Sequence, residues 1–347
     1  MLSPMASPDF APTPSSKPLP PVERVRPGLW SIPVPLPIPL RYVFVYAFET
    51  DRGPFIVDAG WNTDDAYEGL CAGLREAGFD IGDVQGVMVT HIHPDHYGLA
   101  GRVRDSSDCW IALHPADAAL IHDRYDEPAD LLERMGTMLR RIGAPPEELE
   151  HLRNASMPVL PFVNYATPDV LMEDGDRPDI PGWDLTAVWT PGHSPGHLCF
   201  WEARNRLMLT GDCVLPRITP NINFNPQTGD DPLGDYLRSL EHLADFDAEE
   251  ALPAHEYRFL DHKGRLHEIR EHHEQRFLEV LAAIREGYDT AWAVTPRMDW
   301  SRPWDQNDTF TKRAAVGEAL AHLRNLEVRG LVREIPGEPS RWVVVDA

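Results

Sequence analysis

Cysteine is scarce in this sequence. Cys71, Cys109, Cys199 and Cys213 are the four in 347 residues, and no two of them form a CxxC pair. Neither a disulfide framework nor an all-cysteine zinc site is therefore indicated. Long apolar runs are missing as well, since none approaches the ~20 residues that a membrane helix needs. The N-terminus lacks the basic start and apolar stretch of a secretory signal, so a cytoplasmic protein without a membrane span is expected. Positive charge is also in short supply. Lys and Arg number 32 against 55 Asp and Glu, a formal net charge of -23. Phosphate contacts need a basic surface, so this balance argues against a nucleic-acid partner. What remains is 42% hydrophobic and 9% aromatic. That is the composition of a globular enzyme, and 347 residues are ample for a sizeable core.

Residues 1–28 hold eight prolines with Ser and Ala, which reads as a flexible arm. Prolines on alternate positions should keep Pro33–Leu40 out of the sheet that Arg41–Glu49 enters. Strands are expected at PFIVDAG, GVMVT, Trp183–Trp189, HLCFWE, RLMLTGD and EALPAH. Thr63 is placed to cap a helix running to Ala77, with Tyr67, Leu70 and Leu74 on one face, and a second helix spans Pro232–Ala244. Residues 115–165 read as a helical insertion. From 264 to 347 the chain carries 12 Lys+Arg and 14 Asp+Glu, leaving a net of -21 for residues 1–263. Two helices, Arg265–Glu286 and Lys312–Arg329, followed by LVREI, PGEPS and RWVVV, outline a winged-helix-like domain. Its near-neutral balance suits packing against its own chain or a second subunit better than DNA.

The sharpest chemical signal is Thr90-His91-Ile92-His93-Pro94-Asp95-His96, directly after an apolar strand. His91 and His93 alternate on an extended backbone and so face one side. Pro94 breaks the strand and lets the turn bring Asp95 and His96 round. One zinc takes about four ligands, and four side chains aimed at two places suggest a pair of metals. A chance cluster of surface histidines would account for a lone His, not for this run. Three further pieces follow strand ends: His193 in TPGHSPGH, Asp212 in LTGDC and His255 in LPAHE. Strand ends converge on one sheet edge, where α/β proteins place their sites.

In these residues the sequence closely resembles the metallo-β-lactamase superfamily, whose pattern is HxHxDH, a His in a GH turn, an Asp after a strand and a His after the last strand. All seven positions occur in order between residues 29 and 263. The resemblance implies an αβ/βα four-layer sandwich with helices outside. It assigns His91, His93 and His193 to one metal and Asp95, His96 and His255 to the other, with Asp212 bridging. Two zinc ions, or iron or manganese, are the implied cofactors, and Asp58 in IVDAG is the implied acid holding the ligand loop. The tail, GDCVLPRITPNI and PLGDYLRSLEHL are similar to the branch that includes the mammalian β-lactamase-like protein 2. AHEY (254–257) is similar to the last-ligand segment of hydroxyacylglutathione hydrolases.

Two divalent ions lower the pKa of a shared water from about 15.7 to about 7, so a bridging hydroxide is available to attack a carbonyl. Asp95 is placed to orient that nucleophile or pass its proton to the leaving group. The expected function is thus hydrolysis of a small ester or thioester, similar to an acyl-CoA or a glutathione thioester. The alternatives are single-stranded RNA hydrolysis, opposed by the charge; a lactonase, opposed by Leu215 where that subgroup has Tyr; and an iron persulfide dioxygenase, which uses fewer ligands. His197 divides between supporting the ligands and packing in the core, while His114 and Cys213 read as structural. Arg41, Arg217, Tyr257 and Arg258 are candidate substrate contacts. Leu131, Leu132, Met135, Met138 and Leu139 either wall an acyl pocket with Pro33–Leu40, or extend the core or form a homodimer contact.

Overall fold

The computed structural model describes residues 18–345. Two sheets lie face to face. The first has seven strands in the order β1 (Glu23–Arg26), β2 (Leu29–Pro35), β3 (Tyr42–Phe48), β4 (Phe55–Val57), β5 (Gly86–Met88), β6 (Trp110–Leu113) and β7 (Val170–Leu171). It is antiparallel from β1 to β4 and parallel from β4 to β7. The second runs β11-β10-β9-β8, built from β8 (Leu185–Trp189), β9 (Leu198–Glu202), β10 (Leu207–Gly211) and β11 (Glu250–Pro253). A hairpin of β12 (Val332–Ile335) and β13 (Arg341–Val344) stands apart.

Side-chain alternation sorts the strands into layers. In β3, Phe44, Tyr46 and Phe48 point between the sheets and meet Phe200, Leu207, Leu209 and Leu252. Val43, Val45 and Ala47 point the other way, toward helices α1 (Asp64–Glu76) and α3 (Ala100–Ser107); the short α2 (Pro94–Tyr97) lies in the ligand loop. Thr63 Oγ1 caps α1 by accepting from Ala66 N at 3.1 Å. The outer face of the second sheet, Val188, Cys199 and Met208, is covered by three long helices. After α4 (Pro115–Ala118), α5 (Ala129–Arg141) and α6 (Leu149–Asn154), these are α7 (Pro232–Leu243), α8 (His262–Arg285) and, beyond α9 (Ala291–Val294), α10 (Thr309–Val328). The layers are helix, sheet, sheet, helix.

Two expectations are corrected and one choice between alternatives is decided. Residues 1–17 of the arm lie outside the described residues, but Glu23–Arg26 form a strand, because Val25 buries against the sheet and Arg26 pairs with Glu250 at 2.8 Å. Pro33 and Pro35 stay within β2, paired with Phe44 and Tyr42 of β3. The pairing of β1 reaches no further than Ser31, so beyond it β2 is an edge strand on that side, where a missing N–H is tolerated. Only the turn after Pro35 leaves the sheet, closed by Leu36 N donating to Arg41 O at 2.7 Å. In the insertion, Met135 and Leu139 do not face the ligand loop. They are buried in the same core as Val294, Val316 and Leu320, with Met138 against it, so α5 extends the core.

Candidate metal centre

The parallel strands β4, β5 and β6 all end at one edge, and the second sheet delivers β8, β10 and β11 to the same edge. Two backbone bonds join the sheets there: Leu198 N to Thr90 O and Phe44 N to Ala254 O, each 2.7 Å. All seven expected side chains meet in the cleft above this seam, in two adjoining groups that could hold metal ions.

The first group is His91, His93 and His193. His93 Nδ1 lies 2.8 Å from His91 Nε2 and 3.0 Å from His193 Nε2. The second is Asp95, His96, Asp212 and His255. Here Asp95 Oδ2 is 3.1 Å from His255 Nε2 and 3.6 Å from His96 Nε2. Asp212 reaches both groups, with Oδ2 at 3.6 Å from His96 Nε2 and also 3.6 Å from His193 Nε2, and Oδ1 at 3.4 Å from His255 Nε2.

The surrounding hydrogen bonds fix which ring nitrogens are free. His96 Nδ1 donates to Asp58 Oδ2 at 2.8 Å, His193 Nδ1 to the Asn221 carbonyl at 3.1 Å and His255 Nδ1 to the Tyr42 carbonyl at 3.0 Å. The Thr90 hydroxyl donates to Asp58 and faces His91 Nδ1 at 3.0 Å, which sets that ring as well. Each of these four rings therefore turns its Nε2 into the cleft. Such outer partners orient metal-binding histidines and raise their basicity. His96 Nε2, His255 Nε2 and Asp212 Oδ1 are buried without a hydrogen-bond partner, an arrangement that is costly unless a cation answers them. The donor set of imidazoles and carboxylates suits zinc, iron or manganese.

Electrostatics point the same way. Burial, then the neighbouring histidines, hold His91 well below its ordinary value, so its ring is neutral. Burial followed by His193 does the same for His93. Burial would push Asp212 up, but His255, His96 and His193 overcome it and hold the carboxyl well below its usual range. The first group thus holds the neutral imidazoles that bind metals. In the second, burial would lower His96 and His255, but Asp58, Asp95 and Asp212 hold His96 well above its ordinary value, and Asp212 and Asp95 raise His255, a positive charge that a bound cation would replace.

Asp58 sits where the resemblance implied. Its backbone is left-handed at φ 64°, which turns the carboxylate back to accept from Thr90 N at 2.8 Å. His197 also supports the ligands. Its Nδ1 bonds Thr190 Oγ1 at 2.8 Å, and its Nε2 accepts from Asp212 N at 3.1 Å. Gly211 makes this close approach feasible, because a Cβ there would lie 2.7 Å from His197 Nε2. Cys213 turns away into the core, and His114 caps α4 and stacks on Trp189. Asp117 carries no sequence signal, yet it ties the two ligand loops together. Its Oδ2 accepts from Ile92 N at 2.9 Å and Ser194 Oγ at 2.8 Å, and its Oδ1 accepts from Gly196 N at 2.7 Å. The four candidate substrate contacts serve structural bonds: Arg217 with Glu256, Arg258 with Glu23 and Glu250, Tyr257 with Glu23, and Arg41 with the Pro18 carbonyl.

Comparison with known proteins places this geometry in context. The family model described as the Metallo-beta-lactamase superfamily matches residues 38–255, which include all seven side chains. The crystal structure of a metallo-beta-lactamase family protein from Thermus thermophilus is similar with a TM-score of 0.80 and 32% identity, covering 93% of this chain and 100% of that one. The chain is 33% identical over 121 residues to the lactamase-like protein adaB of Aspergillus niger, 34% of this chain and 36% of that protein. It is 25% identical to the probable metallo-hydrolase YqjP of Bacillus subtilis, over 61% of this chain and 66% of that protein. The chain thus matches about a third of the one curated relative's length and about two thirds of the other's.

Proposed function

The chain belongs to the metallo-β-lactamase superfamily, and from that membership we propose that it is a dinuclear metal-dependent hydrolase of a small ester or thioester. The observation that carries this reading is the pair of adjoining ligand groups, complete in all seven side chains, with Asp212 reaching both. His91, His93 and His193 would hold one ion and Asp95, His96 and His255 the other, with zinc the first choice and iron or manganese the alternatives. When bound, two such ions supply a water of pKa near 7 and a Lewis acid for the carbonyl oxygen.

The remaining work falls to the chain. His96 and His255 are almost wholly enclosed, whereas Asp95 and Asp212 keep 14% and 12% of their side-chain surface accessible. Substrate therefore approaches over the two carboxylates. Asp95 can take a proton from the attacking water and hand it to the departing oxygen or sulfur, so no side-chain nucleophile is needed. Asp58 and Asp117 keep the ligand loop rigid while this happens, and the enclosing core keeps bulk water from the far side of the ligands.

The test combines metal analysis with a substrate panel of p-nitrophenyl esters, CoA and glutathione thioesters, lactones, β-lactams and single-stranded RNA. The expected result is two ions per chain and ester or thioester turnover that a chelator abolishes and zinc restores. Activity on RNA alone, or one iron per chain with oxygen consumption, would overturn it.

A further inference from the structure

In a chain with 55 acidic residues, most cations find a carboxylate. Arg124 and Arg313 form no ion pair among the described residues, and Arg313 feels the charge of Arg124. Arg124 belongs to a π-helical turn, His122–Asp126, and is half-buried. Its Nη1 reaches only Gln227 Oε1, at 3.5 Å, and its guanidinium lies 5.8 Å from the Tyr125 ring centre. The acids next to it are engaged elsewhere: Asp123 with Arg134 at 3.1 Å and Asp126 with His122 at 3.1 Å. Arg313, near the start of α10, is half-buried too and held by Ser156 Oγ and, at 3.4 Å, by the Leu152 carbonyl. A third donor, Gln227 Nε2, is buried without an acceptor.

Two bonds locate this group. Tyr125 donates its hydroxyl to the carbonyl of Ile92, between His91 and His93, at 2.6 Å. Gln227 continues the loop whose Asn221 carbonyl receives His193 Nδ1–H. Arg124 and Gln227 thus border the His91, His93 and His193 group. Burial, then the charge of Arg124, brings Arg313 down to about 10, which leaves it charged at neutral pH, and the same Arg124 charge is felt at His93. Two like charges brought together partly out of water are unfavourable, and an anion between them relieves this.

We propose that Arg124, Arg313 and the Gln227 amide form a subsite for a compact oxyanion, a carboxylate or a phosphate, carried by the substrate whose acyl bond reaches the metal centre. The inference rests on the ester or thioester reading above and narrows it to substrates with a negative charge. Guanidinium forks match both oxyanions, so their source must be separated by experiment.

Matched pairs of thioesters do this with the metal-loaded full chain. Succinyl against butyryl N-acetylcysteamine reads a carboxylate on the acyl side. Acetyl-4′-phosphopantetheine against acetyl-pantetheine reads a phosphate on the leaving group. One charged partner should be preferred, and Arg124→Gln and Arg313→Gln should each lower the charged-to-neutral ratio of kcat/KM by about 10- to 100-fold, chiefly through KM, at unchanged metal content. No preference in either pair, or equal losses on charged and neutral partners, would overturn the subsite. Arg313 also ties α6 to α10, so Arg124→Gln, whose single hydrogen bond is to Gln227, decides if Arg313→Gln fails to fold. If no ester or thioester is cleaved, the hydrolase reading fails separately. Calorimetry with succinate and with inorganic phosphate then decides the subsite: binding by the wild type that Arg124→Gln abolishes supports it, and no binding, or binding unaffected by the substitution, overturns it.

Discussion

Asp58 accepts hydrogen bonds from three groups on the ligand loop, and among the described residues no other side chain outside that loop holds both Thr90 and His96. Asn also tolerates its left-handed backbone, so Asp58→Asn keeps the fold but places an amide donor against donors. Metal affinity should fall by about 10- to 100-fold, most at the group containing His96. Chelator competition measures this, and an unchanged affinity at both groups would refute the role. At this scale the candidate ligands were legible because metal binding demands particular residue types in a particular order. Asp117 was not, since a carboxylate serving three backbone and hydroxyl donors looks in sequence like any acid opening a helix. Arg124 and Arg313 were equally hidden. What marks them is a half-buried guanidinium that has no acidic partner among the described residues, which a one-dimensional sequence does not record.

Among the elements, α10 has an unusual acid. Glu318 is buried, and its Oε2 accepts from Asn221 Nδ2 at 2.7 Å. Burial pushes its pKa up to about 7, against the charge of Arg276 on α8 and the Asn221 bond. His322, which donates to the Glu318 carbonyl, is held at about 4 by burial, and His273 on α8 well below its ordinary value, so both are neutral near pH 7. A carboxyl raised from 4.5 contributes stability that is complete below that value and lost as pH rises through 7. The loss is about 3 kcal/mol. Urea unfolding at pH 5 and pH 8 should therefore show the wild type weakening by roughly that amount relative to Glu318→Gln, whose amide can still accept from Asn221. Parallel pH dependence in the two proteins would refute it. The helices themselves were readable from their apolar spacing. The strand through Pro33 and Pro35 was not, because only the short reach of β1 leaves that edge free of partners.

Across the whole molecule, the helices after residue 261 are a layer of the sandwich. Leu266, Phe277, Val316 and Leu323 share one core with Met208 of the second sheet and with Met135 of the insertion. Truncation after Lys263 would strip that cover, leaving the sheet's outer face apolar and exposed. The shortened chain should be insoluble or poorly active, as the soluble fraction and residual turnover would report; a soluble, fully active product would contradict this. The four layers followed from strand alternation and the resemblance together. The direction of the insertion's apolar side chains did not, since the same residues could have faced a pocket or a core.

The two sheets contribute unequal shares of the ligands, and this has a consequence for the denatured chain. His93 comes from the first sheet and His193 from the second, 100 residues further on, with their ring nitrogens 3.0 Å apart. An ion held by both is a cross-link. By the chain-entropy account of such links, closing a loop of that length removes freedom from the unfolded ensemble worth about 4.7 kcal/mol. All four cysteines here are free, so the metal centre would supply the kind of covalent-like tether that a secreted protein draws from disulfides, and would do so under reducing conditions.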